Sequence, residues 1–463
     1  MASSSFKVTR ISEGAVKPAS ETPDHTLPLA WVDRYPTHRG LVESMHIFRS
    51  GADAAPAVIR EALGKALAFF YPLAGRIVEQ PEKGCPAIRC TADGVYFAEA
   101  VAECSLEDVR FLERPLLLPK EDLVPYPAAD LWGVEPHNTI MMMQVEYSDK
   151  NAGRRRRSAR RDREIPAFQA RRPSAATGCL PRGATASLHF CSVAGCVCVM
   201  PPLPATITKF TCGGFVMGLR FNHASADGMG AAQFIKAVGD MARGLPEPSV
   251  KPVWDREKFP NPSIKPGPLP ELPVLALDYI VLDFPTGYID GLKTQYKAHS
   301  GKFCSGFDVL TAKLWQCRTR ALNLEPDATV KLCFFASVRH LLKLDAGYYG
   351  NSSFPVKMSG SSKKVLESSV MEVIDMIREA KQRMAVEFFQ FAKEETRQDP
   401  FQMSFDYESI YVSDWSKLGF SDVDYGFGPP LFARPPRTSP TGASWGSPTW
   451  TTALARPCSP ARS

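Results

Sequence analysis

Apolar residues recur at helical spacing in four stretches and run as short blocks in several others. Ala57–Ala68 sets Val58, Ile59, Leu63 and Leu67 on one helical face and stops at Phe69-Phe70-Tyr71-Pro72, where proline blocks continuation. Ala231–Arg243 repeats Phe234, Ile235, Val238 and Met241 in the same way. Phe307–Leu322, with Ser305 placed to cap it, and Val365–Thr396 complete the helical set. Gly214–Phe221, Thr139–Gln144, Ile207–Phe210, Val330–Val338 and Ile410–Val412 read as buried strands, and Ala87–Val101 as two strands around the turn Ala92-Asp93-Gly94. Strand and helix alternate, so the pattern predicts an α/β protein.

One junction in that pattern carries chemistry. The strand Gly214–Phe221 runs into Asn222-His223-Ala224-Ser225-Ala226-Asp227-Gly228, which opens the helix from Ala231. His223 therefore sits at a strand end, where a rigid scaffold presents a side chain to a cleft. A neutral imidazole there can take a proton from an alcohol or an amine. Asp227 is spaced to orient the histidine or, equally, to turn away and brace the loop against a cation. A lone H-x-x-x-D also arises by chance, with His223 then simply structural. No G-x-S-x-G elbow and no glycine-rich phosphate loop accompanies it. A base without nucleophile or metal suits direct transfer of a preactivated group such as an acyl thioester.

Two segments break the pattern. Residues 145–206 hold 11 Lys/Arg against 4 Asp/Glu and show no periodicity, which predicts an atypical, disordered basic insertion, either a surface loop or, on a sharper reading, a segment not native to the fold. Residues 434–463 are rich in Pro, Arg, Ser and Thr and predict an atypical disordered tail. Between Pro246 and Pro273 nine prolines in 28 residues predict an extended crossover between two domains, residues 1–245 and 274–433.

The formal charge of +6 is local: residues 145–206 contribute +7 and residues 431–463 contribute +4, so the remainder carries −5. That argues against a globally basic nucleic-acid-binding surface, and the Arg154–Arg163 cluster lacks an aromatic platform. No apolar run reaches the ~18–20 residues of a membrane span. Twelve cysteines without a signal-peptide pattern point to reduced thiols, and Cys191, Cys196, Cys198 and His189 match no standard metal spacing. The expectation is a cytoplasmic monomer without metal, membrane or nucleic-acid partners.

Two motifs in order resemble the BAHD family of plant acyltransferases: His223-Ala224-Ser225-Ala226-Asp227-Gly228 for H-x-x-x-D-G, and Asp424-Tyr425-Gly426-Phe427-Gly428 for D-F-G-W-G. The blocks Tyr71–Arg76, Cys212–Gly214, Phe307–Leu310 and Tyr349–Asn351 are similar too, and the resemblance runs over 6–144 and 207–433. It implies two chloramphenicol-acetyltransferase-like domains with mixed sheets and an active-site channel between them. Acyl-CoA is the implied co-substrate, with no permanently bound cofactor, and a small alcohol or amine the acceptor. His223 is the implied general base. Asp227, Gly228, Asp424, Gly426, Gly428 and Arg339 are implied architectural residues, with Arg339 the ion-pair partner. Ser413 and Trp415 match acceptor-side positions, the Trp415 indole N–H being an oxyanion donor. No CoA-binding residue is assigned. Because members continue past the second motif in strand-forming sequence, the altered tail and the insertion carry a rival expectation: an unstable or inactive variant of such an enzyme.

Overall fold

The computed structural model describes residues 6–80, 85–126, 140–147, 210–263, 277–396, 398–435, 442–446 and 450–457. Its first half runs β1 (Val8–Val16), β2 (Thr26–Pro28), β3 (Leu41–Phe48), α1 (Ala55–Phe69), β4 (Arg76–Gln80), β5 (Cys85–Arg89), β6 (Val95–Ala102), β7 (Met141–Tyr147), β8 (Phe215–Asn222) and α2 (Gly228–Ala242). The second half runs β9 (Leu277–Phe284), α3 (Thr286–Ser300), α4 (Gly306–Leu322), β10 (Thr329–Ser337), β11 (Ser353–Ser361), α5 (Ser362–Glu367), α6 (Val370–Ala392), β12 (Ser409–Asp414), β13 (Phe432–Arg434), β14 (Gly442–Gly446) and β15 (Trp450–Pro457).

These form two six-stranded mixed sheets, ordered β1-β6-β7-β8-β3-β13 and β11-β10-β12-β14-β15-β9, and a small sheet β2-β5-β4. On the first sheet, Phe215, Met217, Leu219 and Phe221 of β8 alternate into a core shared with Ile59, Leu63 and Leu67 of α1 and Phe234, Ile235 and Val238 of α2. Each such side chain, fully buried, contributes about 1.5–3 kcal/mol. The second core gathers Leu310, Leu314 and Trp315 of α4, Leu332 and Phe334 of β10 and Ile374 and Ile377 of α6.

Each core borrows from the other half. Tyr349, Phe420 and Tyr425 lie in the first core, and Trp31, Val32 and Tyr35 lie in the second. The strand β13 crosses over to pair with β3. This exchange brings residues distant in sequence together around the end of β8.

Three expectations change. The tail expected to lack regular structure supplies β14 and β15, which fill the second sheet between β12 and β9. Its Pro-rich composition hides the strand formers Trp445 and Trp450-Thr451-Thr452, and strand neighbours on both sides decide their state. The strand expected to end at Gln144 continues to Tyr147, paired with β6 and β8. The rest of the basic insertion, its cysteines and Ile207–Lys209 lie outside the described residues. The helical region expected over Val365–Thr396 is two helices, because Ser369 starts α6 afresh with a capping box to Glu372. Of the proline-rich crossover, residues 246–263 are described; a bridge from Val253 to Tyr348 and a short turn at Arg256–Lys258 tie it to the second half.

Candidate active site

β8 lies inside the first sheet, between β7 and β3, so its end is fixed on both sides. His223 is the first residue beyond it. Its backbone N–H donates to the Gly40 carbonyl at 3.0 Å, and its carbonyl accepts from Asn351 Nδ2 at 2.6 Å. Asn222 closes the following turn by accepting from the Ala224 N–H at 3.0 Å on its side chain and from the Ser225 N–H at 3.0 Å on its carbonyl. The imidazole is half-buried and lies flat against the ring of His38, with centroids 4.8 Å apart and planes inclined by 11°.

Asp227 does not orient the histidine. Its carboxylate takes a bidentate pair from Arg339 at 2.9 and 3.0 Å, a hydrogen bond from Ser352 Oγ at 3.0 Å, and one from the Gly230 N–H at 2.9 Å. The last makes it the N-cap of α2. Burial pushes this carboxyl up, but the guanidinium and the hydrogen bonds outweigh it, so its pKa is held below the ordinary value. Gly228 opens the helix beside Leu418, and two residues on the backbone approaches so closely that a Cβ on Gly230 would stand 1.8 Å from the Tyr349 carbonyl oxygen. The motif loop is thereby clamped to the second half by Arg339, Tyr349 and Ser352.

Beneath it lies a buried ion pair, Arg256 Nε to Asp33 at 3.0 Å, with both side chains at most 1% exposed. Asn351 Nδ2 donates to Asp33 at 2.8 Å as well as to the His223 carbonyl, and Arg256 also donates to the Ser225 carbonyl. The guanidinium lies 3.9 Å from the Trp254 ring centroid. Burial penalises its charge, but Asp33 beside it more than compensates and raises the pKa, so the arginine stays charged. These contacts fix the backbone that carries His223.

The second motif is elsewhere. Asp424 accepts the N–H groups of Gly426, Phe427 and Gly428 at 2.8, 3.0 and 2.9 Å, a turn that needs the positive φ of Gly426 (93°) and Gly428 (86°). Its carbonyl lies against Gly239, at the far end of α2 from Asp227. Nine residues of helix separate the two contacts, about 14 Å at 1.5 Å per residue. Ser413 and Trp415 follow from β12: the Trp415 Nε1–H donates to Ser413 Oγ at 3.1 Å and its ring stacks on Phe420 at 5.4 Å. Neither bonds to His223 among the described residues.

A cavity of about 450 Å³ opens beside Arg339, lined in part by Lys236, His340, Lys343 and Tyr348. It reaches the motif through Arg339 and not through the histidine. Among the described residues no group of His, Cys, Asp and Glu is arranged to hold a metal ion, and no helix is long and apolar enough to cross a membrane.

His38, Asp33 and Arg256 escaped the sequence reading, and Asn351 appeared there without a role. No local pattern marks them. Asp33, Arg256 and Asn351 come from three distant segments, and His38 stands in a short loop without periodicity.

Two six-stranded mixed sheets, with a histidine at a strand end and an aspartate turned onto an arginine, form the chloramphenicol-acetyltransferase-like fold, and the family match assigns the acyltransferase class. The chain belongs to the BAHD acyltransferases: the model of the Transferase family matches residues 6–145 and 190–448. That match reaches past Ala433, where the resemblance was expected to stop, and resumes ahead of Ile207. The chain is 76% identical over 431 residues to Acyl transferase 9 of Oryza sativa subsp. japonica, covering 93% of this chain and 88% of that protein. It is 32% identical to a myricetin 3-O-glucosyl 1,2-rhamnoside 6'-O-caffeoyltransferase of Crocosmia x crocosmiiflora, over 93% of this chain and 89% of that protein. Vinorine synthase shares the fold, with a TM-score of 0.64 at 18% identity over 97% of this chain and 95% of that one.

Proposed function

We propose that the chain transfers an acyl group from an acyl-CoA thioester to the hydroxyl or amine of a small specialised metabolite, with His223 as general base. The observation that carries this is the division of labour in the motif: Asp227 is spent on Arg339 and the cap of α2, while the His223 ring is left half-exposed on a backbone held from both sides. On this reading an unprotonated His223 nitrogen takes the acceptor proton as the oxygen or nitrogen attacks the thioester carbonyl. The resulting tetrahedral oxyanion collapses, the C–S bond breaks, and CoA leaves as thiolate, to be protonated by the imidazolium. Trp415 as oxyanion donor requires its bond to Ser413 to open first.

Lys236 and Lys343 in the cavity beside Arg339 suit the anionic CoA. Asp227, Gly228, Arg339, Asp424, Gly426 and Gly428 are architectural on the same reading, and Ser413 lies on the acceptor side. The relatives' names support this range of acceptors: one acylates a glycosylated flavonol, and another, from Taxus canadensis, is an N-benzoyltransferase. The protein acts as a cytoplasmic monomer on this reading, with no permanently bound cofactor. A defective variant is the less favoured reading, since β14 and β15 complete the second sheet.

The test is a CoA-thiol release screen of several acyl-CoAs against aliphatic, aromatic and amine acceptors, followed by His223→Ala. The expected loss is about 10²–10⁴-fold in kcat. Transfer that survives the substitution sinks the assignment.

A further inference from the structure

A histidine serving as base must hold its ring in one plane, and most do so through a hydrogen bond at the second ring nitrogen. His223 has no such bond: its Nδ1 is buried without a partner among the described residues, and the motif carboxylate is committed to Arg339. The ring meets two other rings, Phe221 at 6.5 Å and 42°, and His38 at 4.8 Å and 11°. Only the second contact is face to face.

His38 is itself immobilised. Its Nδ1–H donates to the Val32 carbonyl at 2.5 Å, which leaves Nε2 unprotonated. Tyr35 and Phe401 meet its ring edge-on at 6.2 and 6.3 Å, and only 9% of the residue is exposed. The loop that carries it also supplies the Gly40 carbonyl that accepts the His223 N–H. Burial, and then the neighbouring His223, push its pKa down to about 3, so it stays neutral while its neighbour takes up a proton. A neutral aromatic face against a forming imidazolium is an attractive arrangement, whereas a second cation would repel it.

We propose that His38 is the positioning residue of the site, a neutral ring whose face fixes the plane of His223 in place of the usual acceptor at Nδ1. This rests on His223 being the base. The stack and the Val32 hydrogen bond can be separated. His38→Phe keeps a ring face and loses the donor; His38→Asn keeps a donor near the Nδ1 position and loses the ring.

CoA release is measured per folded molecule for both variants and for His223→Ala, using an acyl-CoA and acceptor pair that the parent turns over. His38→Asn is expected to lose about 10–100-fold in kcat with its KM for acyl-CoA within about twofold, the scale of a misplaced catalytic group. His38→Phe is expected to stay within about threefold of the parent. The opposite order, or parental rates in both with His223→Ala inactive, overturns the positioning role alone. An active His223→Ala instead removes the base reading beneath it. Should His38→Asn not fold, a folded His38→Phe as slow as His223→Ala overturns the proposal by itself.

Discussion

The two motif aspartates occupy similar glycine-rich loops and do different work. Asp227 is buried, charged and tied across the molecule to Arg339 and Ser352, whereas Asp424 folds back on three N–H groups of its own loop. The first holds the two halves in register around His223. The second shapes a turn whose Tyr425 closes the first core, 5.5 Å from Phe48. Equal prominence in the sequence therefore conceals an unequal distribution of energy, because a buried charge that loses its partner costs far more than a local turn.

Substitution separates the two most widely. Asp227→Ala strands a guanidinium that is mostly buried and should cost about 3–5 kcal/mol, read as a fall in the unfolding midpoint or in soluble yield. Asp424→Ala should cost about 1–2 kcal/mol in the same measurement, the usual range for a lost side-chain cap. Equal losses would contradict the comparison.

Gly230→Ala comes next, since its new methyl would meet the Tyr349 carbonyl at 1.8 Å, and overpacking of this kind costs about 1–3 kcal/mol. Gly428→Ala, where φ is 86° but no atom lies within 4 Å, should cost about 1–2 kcal/mol through backbone strain alone. A thermal melt of each reads the two losses.

Acid gives a subtler contrast. The pKa of Asp227 is lower in the folded state, so its contribution is fully present above the ordinary aspartate value near 4 and is lost as pH falls through the folded value. The parent should therefore lose stability on acidification below about pH 4 more steeply than Asp227→Asn does. Parallel curves would show that the pair contributes nothing. Smallest of all, Lys236→Glu with Lys343→Glu should raise the KM for acyl-CoA several-fold and leave kcat nearly unchanged.

What could be read from the sequence follows from where the determining physics lies. The end of β8, the start of α2 and the capped start of α4 were legible because apolar spacing and Ser305 act locally, and the cap forms as a full capping box with Asp308. β1 was not, because it runs against its own hydrophobic pattern: Ile11 is 51% exposed while Arg10 and Ser12 are turned partly inward. β14 takes its state from β12 on one side and β15 on the other, and β15 pairs in turn with β9, more than a hundred residues away in the chain. At the site, the order of His223, Asp227 and Asp424 was legible and their geometry was not. The family resemblance implied Arg339 as the ion-pair partner, and the Asp227–Arg339 pair forms; that His38 lies under the His223 ring depends on a chain crossing that no local pattern encodes.

On the proposed function His223 performs the chemistry and Asp227 the architecture. Turnover per folded molecule for His223→Gln and Asp227→Asn, measured side by side with the parent, tests it directly. His223→Gln should melt with the parent and lose at least about 100-fold in kcat, while Asp227→Asn should melt lower with its folded molecules staying within about tenfold. A folded Asp227→Asn as inactive as His223→Gln would contradict it and restore a working His–Asp dyad.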